Sequence, residues 1–372
     1  MTGPAADVVV IGAGIVGAAC AWALAREGVR VTALENGVPG GGATAAGMGH
    51  LVVMDGSEPE FTLTRYSRDL WLNLAPEIPS EGEFRQCGTI WVAGDEEEFA
   101  AAQVKHAWYG ERGVRSEILD EQALADAEPN LRPGLAGGLL VPDDAVVYAP
   151  WIAGWLLRRS TATLKVCAPV IGVDSDGALL ASGERVACGA IVCAAGCSTA
   201  QILPDLPLRA RKGHLVITER HPGFVHHQLV ELGYVKNAHG TSAESVAFNV
   251  QPRATGQALL GSSRQFGDES PEVRWPVLAR MIRRATEFMP ALARLQAIRV
   301  WTGFRAATPD QLPLIGPPDG MDNVILATGH EGLGITTALA TAELVVAHLL
   351  GRESAIPAGP YLPSRLGVRT LA

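Results

Sequence analysis

Three glycines and one acid carry the clearest chemical signal in this 372-residue chain. Gly12, Gly14 and Gly17 spell G-x-G-x-x-G, and Glu35 closes the next β-rich run. Each has a physical task. Gly12 permits a tight turn, Gly14 leaves room for a pyrophosphate to approach the backbone, and Gly17 lets a helix pack close to a strand. The helix start then offers N–H groups and a positive dipole end to phosphates. A carboxylate at Glu35 can accept hydrogen bonds from both hydroxyls of an adenosine ribose, and its charge repels a 2′-phosphate, which argues against NADP. These tasks require a strand before the glycines, a helix after them and a second strand before the acid. Asp7–Ile11 and Val29–Leu34 supply the two β-branched runs.

A second strand–glycine turn–helix lies near the other end, in NVILATGHEGLGITT over 323–337. One helix start serves a nicotinamide dinucleotide, and by the first motif alone an NAD-dependent dehydrogenase remains open. A second helix start aimed at the same ligand makes sense for a flavin, whose reduced form is anionic at N1/C2=O and is stabilised by a helix dipole. Residues 36–51 form a glycine-rich loop in which backbone comes close to a ligand, and Thr44 is placed to cap a short helix beginning near Ala45. Residues 301–317 form a stiff, proline-containing loop. Arg305 ends the strand Ile298–Arg305 before it, and a guanidinium there suits a bidentate clamp on a substrate carboxylate; pairing with Asp310 is the structural alternative.

Flavin-dependent amine oxidation needs little acid–base machinery, since the protein chiefly orients a neutral amine. His330 and Glu331 stand in the second turn. Glu331 can pair with a substrate ammonium or cyclic iminium, or simply face solvent. His50 follows the Gly47–Gly49 loop and either faces the flavin ring or is structural. His226, His227 and His239 lack paired ligand spacing, so no metal is expected. The six cysteines show no C-x-x-C and read as reduced thiols of a cytoplasmic protein.

The chain is long enough for two lobes. At 48% hydrophobic and 19% charged residues it has an ordinary α/β enzyme composition. A net charge of −9 argues against a nucleic-acid partner. Met1–Ala6 is a short lead-in without a signal sequence, and the apolar run Ile335–Leu350 contains Glu343 and His348 and reads as a buried helix rather than a membrane span. Nucleotide-type strands sit at both ends and near residue 190, with antiparallel patterns between. The expected fold is α/β (α+β overall): a discontinuous Rossmann-like FAD-binding domain, 1–82, 145–212 and 298–372, and an inserted antiparallel substrate domain, 83–144 and 213–297. Within it, Lys165–Val173 and Ala178–Leu180 read as a hairpin, Glu83–Ala93 as a strand, and Ser198 and Thr199 as helix caps.

In chain order, the glycine turn with Glu35, the loop Ala43-Thr44-Ala45-Ala46-Gly47-Met48, the strand end Ala194-Ala195-Gly196, the segment Gly303-x-Arg305…Thr308-Pro309-Asp310…Leu312-Pro313…Gly316 and the turn Thr328-Gly329-His330…Gly334 resemble the D-amino-acid oxidase-like family of FAD-dependent oxidoreductases across nearly the whole chain. The resemblance implies FAD and oxidation of an amine next to a carboxylate. It implies cofactor contacts from Gly12, Gly14, Ile15, Val16, Gly17, Glu35, Asn36, Ala43, Thr44, Gly47, Met48, Gly49, Val170, Ala195, Gly196, Gly303, Arg305, Gly329, His330, Gly332, Leu333, Gly334, Ile335 and Thr336, and catalytic positions at Arg305, His330, Glu331, Asn249 and His50. Within the family, the wording of Gly329–Gly334 and Gly261–Gly267 looks most like D-hydroxyproline dehydrogenase β subunits and hydrogen cyanide synthase subunits. That implies a D-hydroxyproline-like or D-proline-like substrate and electron-relay partner subunits, through which the chain can associate with a membrane. Glycine oxidases, which pass electrons to oxygen, are a more distant match. They carry an arginine where Gly332 stands and a tyrosine in the strand of Phe248–Val250, where Phe248 and Asn249 are the candidates.

Overall fold

The computed structural model describes residues 6–233 and 244–367; the lead-in residues 1–5, and His239, lie outside them. The chain forms two compact units, one from Met1–Gly82, Val147–Ala210 and Phe304–Ala372, the other from Glu83–Val146 and Arg211–Gly303.

The first unit is built on a sheet whose strands run Leu314–Gly316, Val324–Thr328, Arg185–Cys193, Ala6–Ile11, Val31–Leu34, Thr163–Lys165. All neighbours pair in parallel except the edge strand Leu314–Gly316. Val31–Leu34 and Val324–Thr328 are buried along their whole length, as parallel strands covered on both faces must be. The helices Ile15–Arg26 and Gly334–Leu349 follow two of these strands. The expected hairpin over 165–180 is split. Lys165 ends an edge strand, and only Val170–Asp174 pairs with Gly177–Leu180. The backbone of Glu35 is the reason: its N–H donates to the Lys165 carbonyl and its carbonyl accepts from Ala168 N–H. Pro169, which has no N–H, follows. Neither Ser198 nor Thr199 caps the helix Thr199–Ile202; the Thr199 hydroxyl instead donates to Thr328 Oγ1 at 3.4 Å.

The second unit carries a sheet in the order Ala297–Ala307, Arg209–Arg220, Gln257–Gln265, Glu244–Pro252, Gln228–Glu231, Thr89–Ala93, Gly137–Val141, Glu117–Asp120. From Arg209–Arg220 to Glu117–Asp120 its neighbouring strands pair antiparallel, apart from Gln228–Glu231 with Thr89–Ala93. One face meets the helix Trp275–Phe288, where Leu278, Met281, Ala285 and Phe288 join Ile90, Leu229, Phe248, Val250 and Leu260 in one core. Phe248 and Phe288 stack with ring centroids 4.6 Å apart. The strand expected over Glu83–Ala93 forms only at Thr89–Ala93. Glu83 adopts φ +48 and pairs with Arg253, which takes the earlier residues out of the sheet.

A glycine contrast tests the packing of the first helix. A Cβ on Gly17 would lie 1.9 Å from the Gly12 carbonyl oxygen, whereas one on Gly28, at φ +81, meets nothing within 4 Å. Gly17→Ala should cost about 3 kcal/mol of stability and Gly28→Ala about 1 kcal/mol. Thermal melting of the two variants gives the comparison, and equal shifts contradict it.

Candidate cofactor and active site

The first junction begins where Ala6–Ile11 ends. Gly12 has φ +96, and a Cβ there would sit 2.6 Å from the Ala194 carbonyl oxygen. Gly12 and Gly17 are thus glycine because protein backbone fills the space. Gly14 differs: the only atom within 4 Å of its added Cβ is Thr44 Oγ1, at 3.3 Å. That opening is the cradle a pyrophosphate needs. Thr44 caps no local helix, since residues 39–46 form turns. Its Oγ1 accepts from Ile15 N–H at 3.0 Å, capping the first helix from 29 residues away in place of Gly14, which has no side chain to do so. Glu35 is held by two amides, Oε2 accepting from Ala13 N–H at 2.7 Å and Oε1 from Gly37 N–H at 2.8 Å. Each oxygen keeps a second lone pair for a ribose hydroxyl. Asn36 and Ala43 are exposed. Val170 opens the strand that follows the Ala168-to-Glu35 hydrogen bond.

The second junction runs from Val324–Thr328 through Gly329, at φ +76, into Gly334–Leu349. A Cβ on Gly334 would lie 3.8 Å from Val16 Cγ2, so the two helix starts meet. Gly47 packs where its Cβ would be 2.8 Å from Ile335 Cδ1. The Thr336 hydroxyl donates to the His50 carbonyl at 2.8 Å, and Trp71 Nε1 donates to the carbonyls of Ile335 and Thr336 at 3.2 and 3.0 Å. Met48 and Gly49 are buried in the same loop. Ala194 N–H donates to the Ile11 carbonyl, and the Thr328 hydroxyl donates to the Gly196 carbonyl at 3.1 Å. These ties bring Ala195 and Gly196 to the carboxyl ends of the parallel strands, where ligands of such sheets bind.

Arg305 is half-buried and lies across the second turn, its Nε 3.5 Å from where a Cβ on Gly332 would be. Asp310 is engaged elsewhere, by Arg365 through Nε at 2.7 Å and Nη2 at 3.1 Å. Glu331 adopts φ +52, donates its N–H to the Ala306 carbonyl and accepts from Gly332 N–H. The His330 ring turns into the interior, Nε2 lying 3.0 Å from Thr341 Oγ1, and burial pushes its pKa down to about 4. It is therefore a neutral imidazole held by the last long helix. Asn249 lies in the second unit, 6% exposed, and Gly303 ends that unit two residues before Arg305 on the same strand. All six cysteines are free, and burial raises Cys20 to about 12 and Cys193 to about 11, so these thiols stay protonated. His227 Nδ1 meets Glu128 Oε1 at 2.9 Å, and no group of three metal-ligating side chains occurs among the described residues.

A profile described as FAD dependent oxidoreductase (DAO) matches residues 7–348. The chain is 26% identical to hydrogen cyanide synthase subunit HcnC of Pseudomonas protegens over 96% of each protein. It is 28% identical to glycine oxidase of Pseudomonas aeruginosa, covering 96% of this chain and 98% of that one. The crystal structure of glycine oxidase from Geobacillus kaustophilus superposes with a TM-score of 0.87 at 26% identity, covering 97% and 98%. FAD fits the residues present. The opening at Gly14 suits its pyrophosphate, the oriented Glu35 its ribose, and the second helix start a negative charge on its ring.

Gly14→Val should fold and lose FAD, because the side chain enters the pyrophosphate space. Flavin absorbance near 450 nm per mole of purified protein measures this, and normal content contradicts the phosphate assignment. His330 gives a pH test. Its folded pKa lies below the unfolded value near 6.5, so the unfolded chain takes up a proton first as pH falls. Its contribution is flat above pH 6.5, and roughly 3 kcal/mol of stability is lost on going from pH 6.5 to about 4. His330→Asn should flatten the melting-temperature profile in that window; an unchanged slope contradicts the buried, neutral assignment.

Proposed function

The chain belongs to the FAD-dependent oxidoreductase family, and on that premise we propose that it oxidises an amino acid or cyclic imino acid of the D-hydroxyproline or D-proline type at the carbon bearing nitrogen. The observation that carries this reading is the meeting of two helix starts, at Val16 and Gly334, with Arg305 laid across the turn that opens the second. FAD, when bound, would supply the two-electron acceptor for the hydride that leaves the substrate Cα.

The protein's own residues bind and orient. Gly12, Gly14 and Gly17, with Thr44 and Glu35, hold the dinucleotide end. The amides that open Gly334–Leu349 stabilise negative charge on the reduced ring. Arg305 clamps the substrate carboxylate through its planar fork. Glu331 stands on the same turn, its N–H on the Ala306 carbonyl next to Arg305 in the chain, and can face a substrate nitrogen. His330, neutral and hydrogen-bonded inward, serves by fixing the turn rather than by moving protons. His50 offers its backbone carbonyl to Thr336 and anchors the loop.

We assign the electrons to a partner subunit or carrier, supported by the full-length likeness to a hydrogen cyanide synthase subunit. The likeness to glycine oxidases favours a second reading in which oxygen is the acceptor and hydrogen peroxide the product. Gly332, where the resemblance places an arginine in those enzymes, weighs against their substrate pocket. No described helix is long and apolar enough to cross a membrane, and the reading places the enzyme in the cytoplasm, reaching a membrane only through partners.

Anaerobic bleaching of the flavin by a panel of D- and cyclic amino acids tests the function, and bleaching by none overturns it. Dye reduction without peroxide in air favours the dehydrogenase, whereas stoichiometric peroxide establishes the oxidase. Arg305→Ala should keep FAD and raise the substrate KM steeply, a loss on the order of 2–5 kcal/mol for a buried charge pair. An unchanged KM places the clamp elsewhere.

A further inference from the structure

The second turn has little side chain of its own to hold it. Gly329, Gly332 and Gly334 carry none. Glu331 sits at φ +52, a conformation that a non-glycine residue keeps only where its surroundings impose it. Those surroundings are one segment, residues 306–316, which meets the turn on two sides. On one side Ala307 bridges His330, and the Ala306 carbonyl accepts from Glu331 N–H at 2.9 Å. On the other, Leu314–Gly316 pairs antiparallel with Val324–Thr328. Between the two flanks Thr308 lies against the turn, its Cγ2 2.7 Å from where a Cβ on Gly329 would be. The spacing of the flanks is therefore set by how the bend over 308–313 closes.

One residue fastens that bend from outside. Arg365 donates through Nε to Asp310 Oδ2 at 2.7 Å, and through Nη2 to Asp310 Oδ1 at 3.1 Å and to the Leu312 carbonyl at 2.7 Å. The same carbonyl accepts from the Thr308 hydroxyl at 2.7 Å. Its two lone pairs are thus divided between the guanidinium and the residue that lies against Gly329. Asp310 Oδ1 also accepts from Leu312 N–H at 3.2 Å. A planar fork serves the carboxylate and the carbonyl together, whereas an ammonium is a single point charge. Arg365 is itself seated. Its Nη1 donates to the Leu362 carbonyl at 3.1 Å. Leu362 fills the space at Gly316, where a Cβ would lie 2.6 Å from its Cδ2, and the Tyr361 hydroxyl donates to the Pro59 carbonyl at 2.8 Å.

We propose that Arg365 is a positioning residue for the flavin: by closing the bend over 308–313 it sets where the amides that open Gly334–Leu349 stand against the ring. The assignment rests on the reading above that those amides face the ring, and extends it to a residue that acts through backbone alone. A helix dipole acts within its first turn. A small displacement of that turn therefore changes how well a ring that becomes anionic on reduction is stabilised. Arg365 adjusts the reduction potential in this way without placing a charge at the ring, because its own charge is met by Asp310.

The test is the reduction potential of FAD bound to Arg365→Met, read against dyes of known potential, so that no substrate enters the measurement. FAD content should be unchanged. The balance between reduced and oxidised flavin should move at least tenfold toward the oxidised form, about 30 mV lower for a two-electron couple. Arg365→Lys, which keeps a donor for Asp310, should move it about threefold, and it carries the comparison where the Met variant does not fold or hold FAD. Tyr361→Phe loosens the same segment and leaves the guanidinium in place; it should lower the melting temperature and keep the wild-type potential. An unchanged potential in the Arg365 variants, with a lowered melting temperature, makes the contact structural only and overturns the assignment. Equal shifts in Tyr361→Phe and Arg365→Met overturn it as well, since any loosening of the segment then acts alike. Either result leaves the functional reading standing, because bleaching of wild-type flavin by amino acids decides that separately.

Discussion

Two helix starts brought to van der Waals distance set the terms for the whole first unit. Each carries roughly half a positive charge at its end, so a negative group lying near Val16 and Gly334 is favoured by both. The region is stitched together: Thr44 caps the first helix, Trp71 holds the first turn of the second through two carbonyls, and Thr336 ties that turn to the loop at His50. A small residue is needed at Gly17, where even one carbon would collide with the Gly12 backbone. A cofactor with an anionic pyrophosphate and a ring that becomes anionic on reduction answers both ends of this arrangement.

Around that constraint the interior is chemically quiet. Burial holds His330 neutral and keeps the Cys20 and Cys193 thiols protonated. Asp310 is tied to Arg365 in a bidentate pair, which holds its carboxyl below the usual range against the opposing effect of burial. The residues near the two turns orient and neutralise charge, and the one histidine in the second turn is neutral and turned inward. Catalysis by positioning, with the redox step left to the flavin, is the chemistry such a setting supports.

What the sequence revealed follows from how local each signal is. The G-x-G-x-x-G turn and Glu35 sit within one strand–helix–strand unit, so spacing alone located them. Arg305 was read as the last residue of its strand, whereas the strand runs on to Ala307 and the side chain lies across the second turn. Thr44 was misread as a local cap, since its partner Ile15 is distant in the chain and nothing nearby in sequence announces it. His330 looked available from its place in a glycine turn, and only tertiary packing shows the ring turned toward Thr341. The four-residue strand Gln228–Glu231 left no periodic trace, being too short and mixed in polarity. With it went Gln228 and Glu231, whose places are set only once the strands pair.

The account stands or falls on where one FAD molecule lies. A crystal structure of the loaded protein is predicted to show its pyrophosphate against the amides after Gly14, its ribose on Glu35, and the pyrimidine edge of its ring against the amides that open Gly334–Leu349. A pyrophosphate bound away from Gly14, or a ring turned from the second helix start, would contradict it.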